Sequence, residues 1–544
     1  MKKKSVHRVL ANRSVSMLLV GGLVGLPGVS SAFQIETNDP DTKLQWDNTV
    51  RYNLGARVES RDSKLGNNPN YDESDYKFDK GEIVTNRLDL YSQLDFEYKQ
   101  KLGFRISGSG WYDHAYRDSS VNQNPALKEG GWESSYIGDR YSADTRRNHR
   151  GLHGEVLDAF VFGRYDVGEV PVQVRVGRLA NVWGEALLDP LNSISYSQSP
   201  LSFRTSLATP GATINEVFRP VGQVSMQAGL TPELALEFQY FLEWEENQFP
   251  DGGTYLGLAD VLGNGPQQLP LAPGFSLPRT SDLEPSQSGE WGVALKLTPD
   301  WFDGTLGFYH RNVSEKNPWL MLTANDSGLS GYRLSYAENT ELYAMSLGTN
   351  ISGISVGTEL IYRKNTALVS NTAVSTEGAR GDTYHVIVNA IGLIGETALF
   401  DTANYVLEGT YSRWDRVRKN EDLFAAKGTA GCLAVDGHTG CVTKNFYKIA
   451  ATFEPTWFSV FPSVDLSMPI SYSQGISGNA STLGGGFEGQ GSYSIGLKAD
   501  IVKQHKVTLR YIDYLLDIKS DGAFNGDQPL SDRGWVSMTY ETSF

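Results

Sequence analysis

Charged and polar residues recur at every second position within apolar runs of this 544-residue chain. Between 46 and 59, Asp47, Thr49, Arg51, Asn53, Arg57 and Glu59 alternate with Trp46, Val50, Tyr52, Leu54, Ala56 and Val58. A period of two marks a strand with two unlike faces. The same register puts Arg105, Arg164, Arg175, Arg363 and Arg510 on the polar face of later runs, together with Asp89, Asp95, Glu97, Glu237, Glu359 and Glu408. If the apolar face meets lipid, the polar face lines an interior. A charge on the lipid side would cost about 2–4 kcal/mol at the bilayer midplane. These residues, with Asp47 and Arg51, are therefore the pore-lining candidates. Both signs are present, so a basic wall could face an acidic one and act on passing solutes. The competing reading is that the charges pair across neighbouring strands and only fill the space.

Other chemistry is thinly represented. Gly484-Gly485-Gly486-Phe487-Glu488-Gly489 has the GxGxxG spacing, but no strand–turn–helix pattern surrounds it. There is no GxSxG nucleophile elbow, which argues against a lipase-like enzyme, and no catalytic residue or cofactor is expected. His149 and His153 are four apart but fall in an expected loop, where helical ligand spacing means little. Asp521 and Asp527 could meet a divalent cation, against the simpler reading of a solvated loop; no metal site is expected. Cys432 and Cys441 are the only cysteines, and in an exported chain two so close favour a disulfide over a metal pair.

The elements that carry the alternating faces come in pairs. Leu88–Tyr98 turns at Lys99-Gln100-Lys101 and returns from Leu102. Further hairpins are read at 155–166 with 170–176, 221–230 with 234–242, 290–299 with 303–313 and 340–351 with 352–364. Others are read at 383–393 with 400–414, 444–455 with 458–475 and 489–502 with 504–517. With the first run and a last strand at 533–544 the count is eighteen, sixteen being the fallback. Every second connection is long: 60–85, 114–154, 180–220, 246–289, 314–339, 365–382, 415–443, 476–488 and 518–532. Short turns alternating with long loops are the rhythm of an antiparallel transmembrane β-barrel with periplasmic turns and external loops. The expected fold is thus all-β, a single barrel over 33–544.

The termini fit that reading. Lys2-Lys3-Lys4, an apolar stretch from Val15 to Val29 and Ser30-Ser31-Ala32 predict a signal peptide over 1–32, cleaved after Ala32. An N-terminal anchor is the alternative, but the stretch is short and broken by glycine. At the other end Phe544, Thr542, Tyr540, Met538 and Val536 share a face, a pattern suited to the barrel-assembly machinery. The net charge is −15, and the first 32 residues carry five basic groups and no acidic one, so the rest nets −20 and nucleic acid is not an expected partner.

One loop departs from the rest. The segment 178–220 carries Arg178, Trp183, Glu185, Leu187, Leu188, Leu191, Ile194, Phe203 and Glu216. So apolar a loop should not lie open to water. It is expected to fold into the lumen, with Arg178, Trp183, Glu185, Phe203 and Glu216 as constriction candidates. The alternative is a lid packed on other loops.

The chain resembles the family labelled domain of unknown function 1302, outer-membrane proteins of Gram-negative bacteria. The resemblance is carried by Phe33-Gln34, Asn86-Arg87-Leu88-Asp89-Leu90 and Gly108-Ser109-Gly110-Trp111-Tyr112-Asp113, then by Gly177-Arg178, Trp183-Gly184-Glu185, Glu216 and Pro220. It implies an integral outer-membrane location among lipid and lipopolysaccharide. It also implies a part in trans-envelope movement of apolar or aromatic compounds, beside a periplasmic lipoprotein-like partner and an inner-membrane exporter. The expected function is a porin-like channel for passive, selective passage of small organic compounds. The alternative is a plugged barrel that anchors a periplasmic partner.

Overall fold

The computed structural model describes residues 33–37, 39–428, 432, 440–516 and 530–544. The leader 1–32 and the Asp521/Asp527 pair lie outside them. Eighteen antiparallel staves form one sheet. They are β1 (Thr42–Arg57), β2 (Ile83–Tyr98), β3 (Leu102–Asp113), β4 (Gly151–Val167), β5 (Val170–Leu179), β6 (Val221–Thr231), β7 (Leu234–Phe241), β8 (Trp291–Leu297) and β9 (Gly304–Val313). The circuit continues through β10 (Thr340–Ile351), β11 (Ile354–Ala367), β12 (Arg380–Ile394), β13 (Thr402–Lys419), β14 (Asn445–Phe461), β15 (Val464–Ser467 and Ile470–Ser477), β16 (Gly491–Ile501), β17 (His505–Leu515) and β18 (Trp535–Ser543). β18 pairs back onto β1, from Thr49 opposite Ser543 to Arg57 opposite Trp535. The sheet is closed, and the chain is an 18-stranded barrel of the outer-membrane type.

Closure follows from the two faces. Tyr52 stands between Leu88 and Tyr540, and Leu54, Met538, Leu509 and Leu497 form one outward row across four staves. Leu88, Leu360, Leu407, Leu497 and Leu509 are 50–53% exposed, as lipid-facing side chains should be. One residue along each strand the side chain points inward. Glu359 beside Leu360 is fully buried. An open edge in lipid would leave backbone N–H and C=O groups unmet, and only a ring removes it. The tight turns stay short because their residues accept positive φ: Ser352 and Gly353, at 53° and 85°, join β10 to β11 in the twist that hairpins prefer. β15 is broken at Met468-Pro469, since proline cannot donate to the ladder.

The C-terminal residue exchanges backbone bonds with Asn48, at 2.9 and 3.0 Å. The short strand Phe33–Ile35 then pairs with Leu44–Trp46 and continues the seam beyond Phe544. On the opposite, external rim the long loops interlock. Arg57 donates to the Asp75 carboxylate at 2.8 Å and to the carbonyls of Asp75, Phe78 and Asp532 at 2.8–2.9 Å. Asp260 accepts the N–H groups of Glu73 and Ser74, each at 3.0 Å. Two hairpins, Gln268–Ala272 with Phe275–Pro278 and Trp319–Asn325 with Gly328–Ser335, lie inside external loops where the alternation predicts no strand. Cys432 and Cys441 are joined as a disulfide, their Cα atoms 5.8 Å apart.

Candidate functional site

The inward residues stack in rows set by strand register. Gln239, Gly292, Arg311, Leu342, Arg363 and Thr383 face one another across β7 to β12. Two residues nearer the short turns lies Glu237, Ala294, Tyr309, Ala344, Ile361 and His385. Then come Lys296, Gly307, Ser346, Glu359, Ile387, Thr410 and Lys448. Below these Gly348, Gly357, Asn389 and Glu408 follow.

The segment after β5 lies against these rows. Trp183-Gly184-Glu185 rests on a lane of glycines. A Cβ on Gly292 would stand 2.8 Å from the Trp183 ring, and one on Gly357 would stand 2.8 Å from Glu185 Cβ. On Gly348 it would meet the Glu185 carboxylate at 3.0 Å. Gly184 itself has φ 106°, and a Cβ there would come within 2.2 Å of Glu359 Oε1. Only glycine allows such approach.

Wall carboxylates then meet the loop's N–H groups. Glu359 Oε1 accepts from Glu185 at 2.5 Å and Ala186 at 2.9 Å, and its Oε2 accepts from Ile194 at 2.8 Å. Glu408 accepts from Leu187 at 2.7 Å and Leu188 at 3.0 Å. Wall arginines meet the carbonyls. Arg311 donates to Ile194 and Tyr196 at 2.7 and 2.8 Å, and Arg363 to Leu191 and Ser193 at 2.9 and 3.2 Å. The Arg363 guanidinium also lies 3.7 Å from the centre of the Tyr196 ring. Loop residue Asp189 accepts from Thr410 at 3.0 Å and stands 3.4 Å from Lys448. Loop backbone buried without water must find partners of this kind. One short segment therefore touches β8, β9, β10, β11, β13 and β14, which only a chain inside the ring can do.

The rest of the loop reaches the far wall. Glu216 bonds Arg51 of β1 at 3.1 Å, and Glu541 of β18 stands 3.5 Å from the same guanidinium. Arg178 ties the two roots of the loop. It donates to Glu243 at 2.6 Å, Glu245 at 2.9 Å and the Pro220 carbonyl at 3.0 Å. Phe203 opens the helix Phe203–Ala208 and stacks on Phe249 of the neighbouring external loop, ring centres 5.6 Å apart. It thus packs upward into the loop cap.

Nearer the short turns the inward charges are wetter. Arg105 pairs with Asp95 at 2.7 Å and Arg164 with Glu97 at 3.4 Å, whereas at the level of Glu359 Lys296 meets a buried Glu237 at 2.9 Å. The Arg105 and Asp95 side chains keep 34% and 27% of their exposure, against 0% for both Glu359 and Arg363 at the level of the loop. Asp47 accepts from Gln45 at 2.9 Å, and Arg175 and Arg510 are half-buried without a carboxylate partner among the described residues. Water therefore reaches the periplasmic half of the lumen, while loop and wall close on each other above it.

Over residues 13–544 the chain matches the family described as protein of unknown function (DUF1302). The chain belongs to that family. No curated protein matches its sequence. Solved barrels with a similar course include OpdK of Pseudomonas aeruginosa with vanillate, at 8% identity and a TM-score of 0.39, covering 92% of this chain and 98% of that one. OccAB4 of Acinetobacter baumannii is 8% identical with a TM-score of 0.41, covering 95% and 99%. OmpF of Salmonella typhi in complex with daunomycin is 9% identical with a TM-score of 0.36, covering 94% and 100%. Likeness at that level carries no argument about solutes.

Alternation gives facing and not partners, so the sequence reading names neither Asp189 of the loop nor the inward residues Arg311, His385 and Lys448. Arg311, Asp189, His385 and Lys448 all contact the loop or its partners, and His385 Nδ1 lies 3.0 Å from Asn192 Oδ1. The glycines at inward positions 292, 348 and 357 are the signal that could have found them. A strand does not favour glycine unless another backbone comes close. His149 is a buried partner of Asp251, at 3.4 Å, within the loop cap.

Proposed function

We propose that the protein is a porin-like outer-membrane channel for passive, selective passage of small organic compounds, apolar or aromatic ones included. The segment 178–220 is its constriction. Solutes come in through the external loops, pass the narrow gap beside Trp183-Gly184-Glu185 and leave along the wet, charged periplasmic half. No bond is made or broken. The observation that carries this reading is the clamp on the loop: two wall carboxylates take five of its N–H groups, and two wall arginines take four of its carbonyls. A barrel of 18 staves at about 4.8 Å spacing would otherwise enclose a wide aqueous lumen. In this reading the short turns face a periplasmic lipoprotein-like partner that continues the route to an inner-membrane exporter.

Deletion of 186–214 in a barrel reconstituted into planar bilayers should raise single-channel conductance several-fold, and liposome swelling should then admit larger solutes. Unchanged conductance would remove the constriction. The interlocked external loops favour a second reading, a plugged anchor. They bury a continuous cluster that includes Phe78, Tyr116, Tyr136, Phe203, Phe249 and Tyr255. An anchor would show no swelling with any solute in the intact protein.

A further inference from the structure

The lipid-facing wall carries a second pattern near its external rim. Trp291, His310, Tyr343, Tyr362 and Tyr384 lie side by side across β8 to β12, neighbouring ring centres 4.4–6.4 Å apart. Tyr411 of β13 and Tyr447 of β14 continue the row, 5.1 Å apart. Such a girdle marks the depth at which hydrocarbon gives way to head groups. Side chains just beyond it on the outer face therefore stand among the head groups of the external leaflet.

On β12 to β14 those side chains are basic. Arg413 follows Leu407 and Tyr411 on one face of β13, is exposed, and stands between the neutral Tyr384 and Asn445 of the flanking staves. Among the described residues no carboxylate pairs with it. The register then slips by one residue at Asp382, which turns Arg416 and Arg418 toward that carboxylate. Arg418 donates to it at 2.5 and 2.7 Å, the Tyr362 hydroxyl at 2.8 Å, and Arg416 stands at 3.1 Å. The Arg416 side chain keeps 60% of its exposure, and only its Nε–H is bonded, to Asp415 at 3.2 Å. Lys444, at the root of β14, lies 3.6 Å from the centre of the Trp414 ring and donates to the Asp415 carbonyl at 3.0 Å. Burial, and then the Arg413 charge, lowers its pKa. Four cations thus share the carboxylates of Asp382 and Asp415, in a chain that is acidic as a whole. Farther round the rim the sign reverses: the girdle tyrosines Tyr493 and Tyr511 donate to Asp513 at 2.9 and 3.0 Å, with Glu59 beside them.

We propose that the outer face of β12 to β14 docks a lipopolysaccharide molecule of the external leaflet. Its phosphates sit on Arg413, Arg416, Arg418 and Lys444, and its acyl chains lie on the wall below, along Val388, Leu407 and Ile449, all of which are exposed. Phosphates fixed at head-group depth on the external side are those of this glycolipid. A guanidinium fork donates to two phosphate oxygens at once. Each basic side chain near a charged membrane surface strengthens lipid binding roughly fivefold. The excess of cations, the depth set by the girdle and the apolar wall beneath converge on one amphipathic anion. The site needs no open lumen, so it stands apart from the channel reading.

The test takes the full mature barrel, refolded in detergent without lipid, and titrates it with fluorescent lipid A that carries its phosphates and with the same lipid stripped of them. The phosphorylated probe should bind at least tenfold more tightly. Arg413→Gln combined with Lys444→Gln should weaken it roughly 25-fold and leave the stripped probe unchanged, while Arg413→Lys combined with Lys444→Arg should keep most of the preference. Lys128→Gln combined with Arg147→Gln, on exposed external loops, should change neither affinity. Gel migration with and without heating checks that every variant is a folded barrel. Equal affinity of the unmodified barrel for the two probes overturns the proposal. So does a glutamine pair at 413 and 444 that keeps the parent's preference, or a pair at 128 and 147 that loses as much of it. Displacement of the probe by an equal concentration of inorganic phosphate would reduce the patch to a free-anion site and overturn the glycolipid assignment.

Discussion

Glu359→Gln is the sharpest probe of the clamp. The carboxylate is fully buried and accepts three loop N–H groups, at 2.5, 2.9 and 2.8 Å. An amide keeps one oxygen. Placed at Oε1, it retains two bonds, now neutral and each weaker by about 1 kcal/mol. The amide nitrogen then faces the Ile194 N–H, donor against donor, leaving that group unmet at about 1–3 kcal/mol. Removing a buried charge gives some of this back. The net loosening is about 2–4 kcal/mol, and at 1.4 kcal/mol per tenfold the ratio of released to docked loop should rise roughly 30- to 1,000-fold. In planar bilayers the variant should show frequent excursions to a higher conductance that the parent rarely visits. Amides 185–194 should also exchange faster by a similar factor. A Glu359→Gln channel with the parent's current trace and the parent's protection over those amides would refute the argument that wall carboxylates hold the loop.

Three other perturbations test neighbouring steps. Gly184→Ala meets both the positive φ of 106° and a 2.2 Å approach to Glu359; it should cost about 1–3 kcal/mol of docking and reproduce the Glu359→Gln trace, and a silent variant would contradict the glycine-lane packing. Leu360→Arg places a charge on the lipid face beside Met345 and Val386; it should lower folding stability in lipid vesicles by about 2–4 kcal/mol, measured by urea titration, with a loss near zero contradicting the assigned facing. The loop cap should loosen with rising pH. Burial, and then the Asp260 charge, pushes Asp72 up to about 8, and burial pushes Asp260 up to about 6. Both exceed the ordinary value of about 3.9, so between that value and their own the folded cap holds protons that the unfolded chain has released, and stability falls as pH rises from about 4 to about 6 through both acids and on to about 8 through Asp72 alone. Exchange protection over 71–76, corrected for the intrinsic rate, should drop between about pH 4 and about pH 8 and level off above it; a flat profile would deny that these acids are protonated in the cap.

Local alternation by itself makes the barrel legible. Glu359 and Leu360 declare opposite faces by adjacency alone, and Ser352-Gly353 marks a two-residue turn. The inward set Arg51, Arg105, Glu359 and Glu408 is readable for the same reason, because a strand's facing repeats every two residues whatever lies around it. Strand ends and the break at Pro469 are blurred, since the apolar run at 458–475 continues through them. The two external hairpins are hidden because loop strands pack on other loops, leaving no membrane-facing period.

What the inward charges do cannot be read in that way. Nothing in the neighbourhood of Glu359 says that its partners are the N–H groups of residues 185, 186 and 194, which lie more than 160 positions away in the chain. Arg311, as ordinary a strand arginine as Arg105, ends buried under loop carbonyls while Arg105 stays half in water. Which staves face each other across a lumen is settled only when β18 pairs with β1 and the ring shuts. Facing is a property of two adjacent residues, whereas partnership across the lumen is a property of the closed circuit.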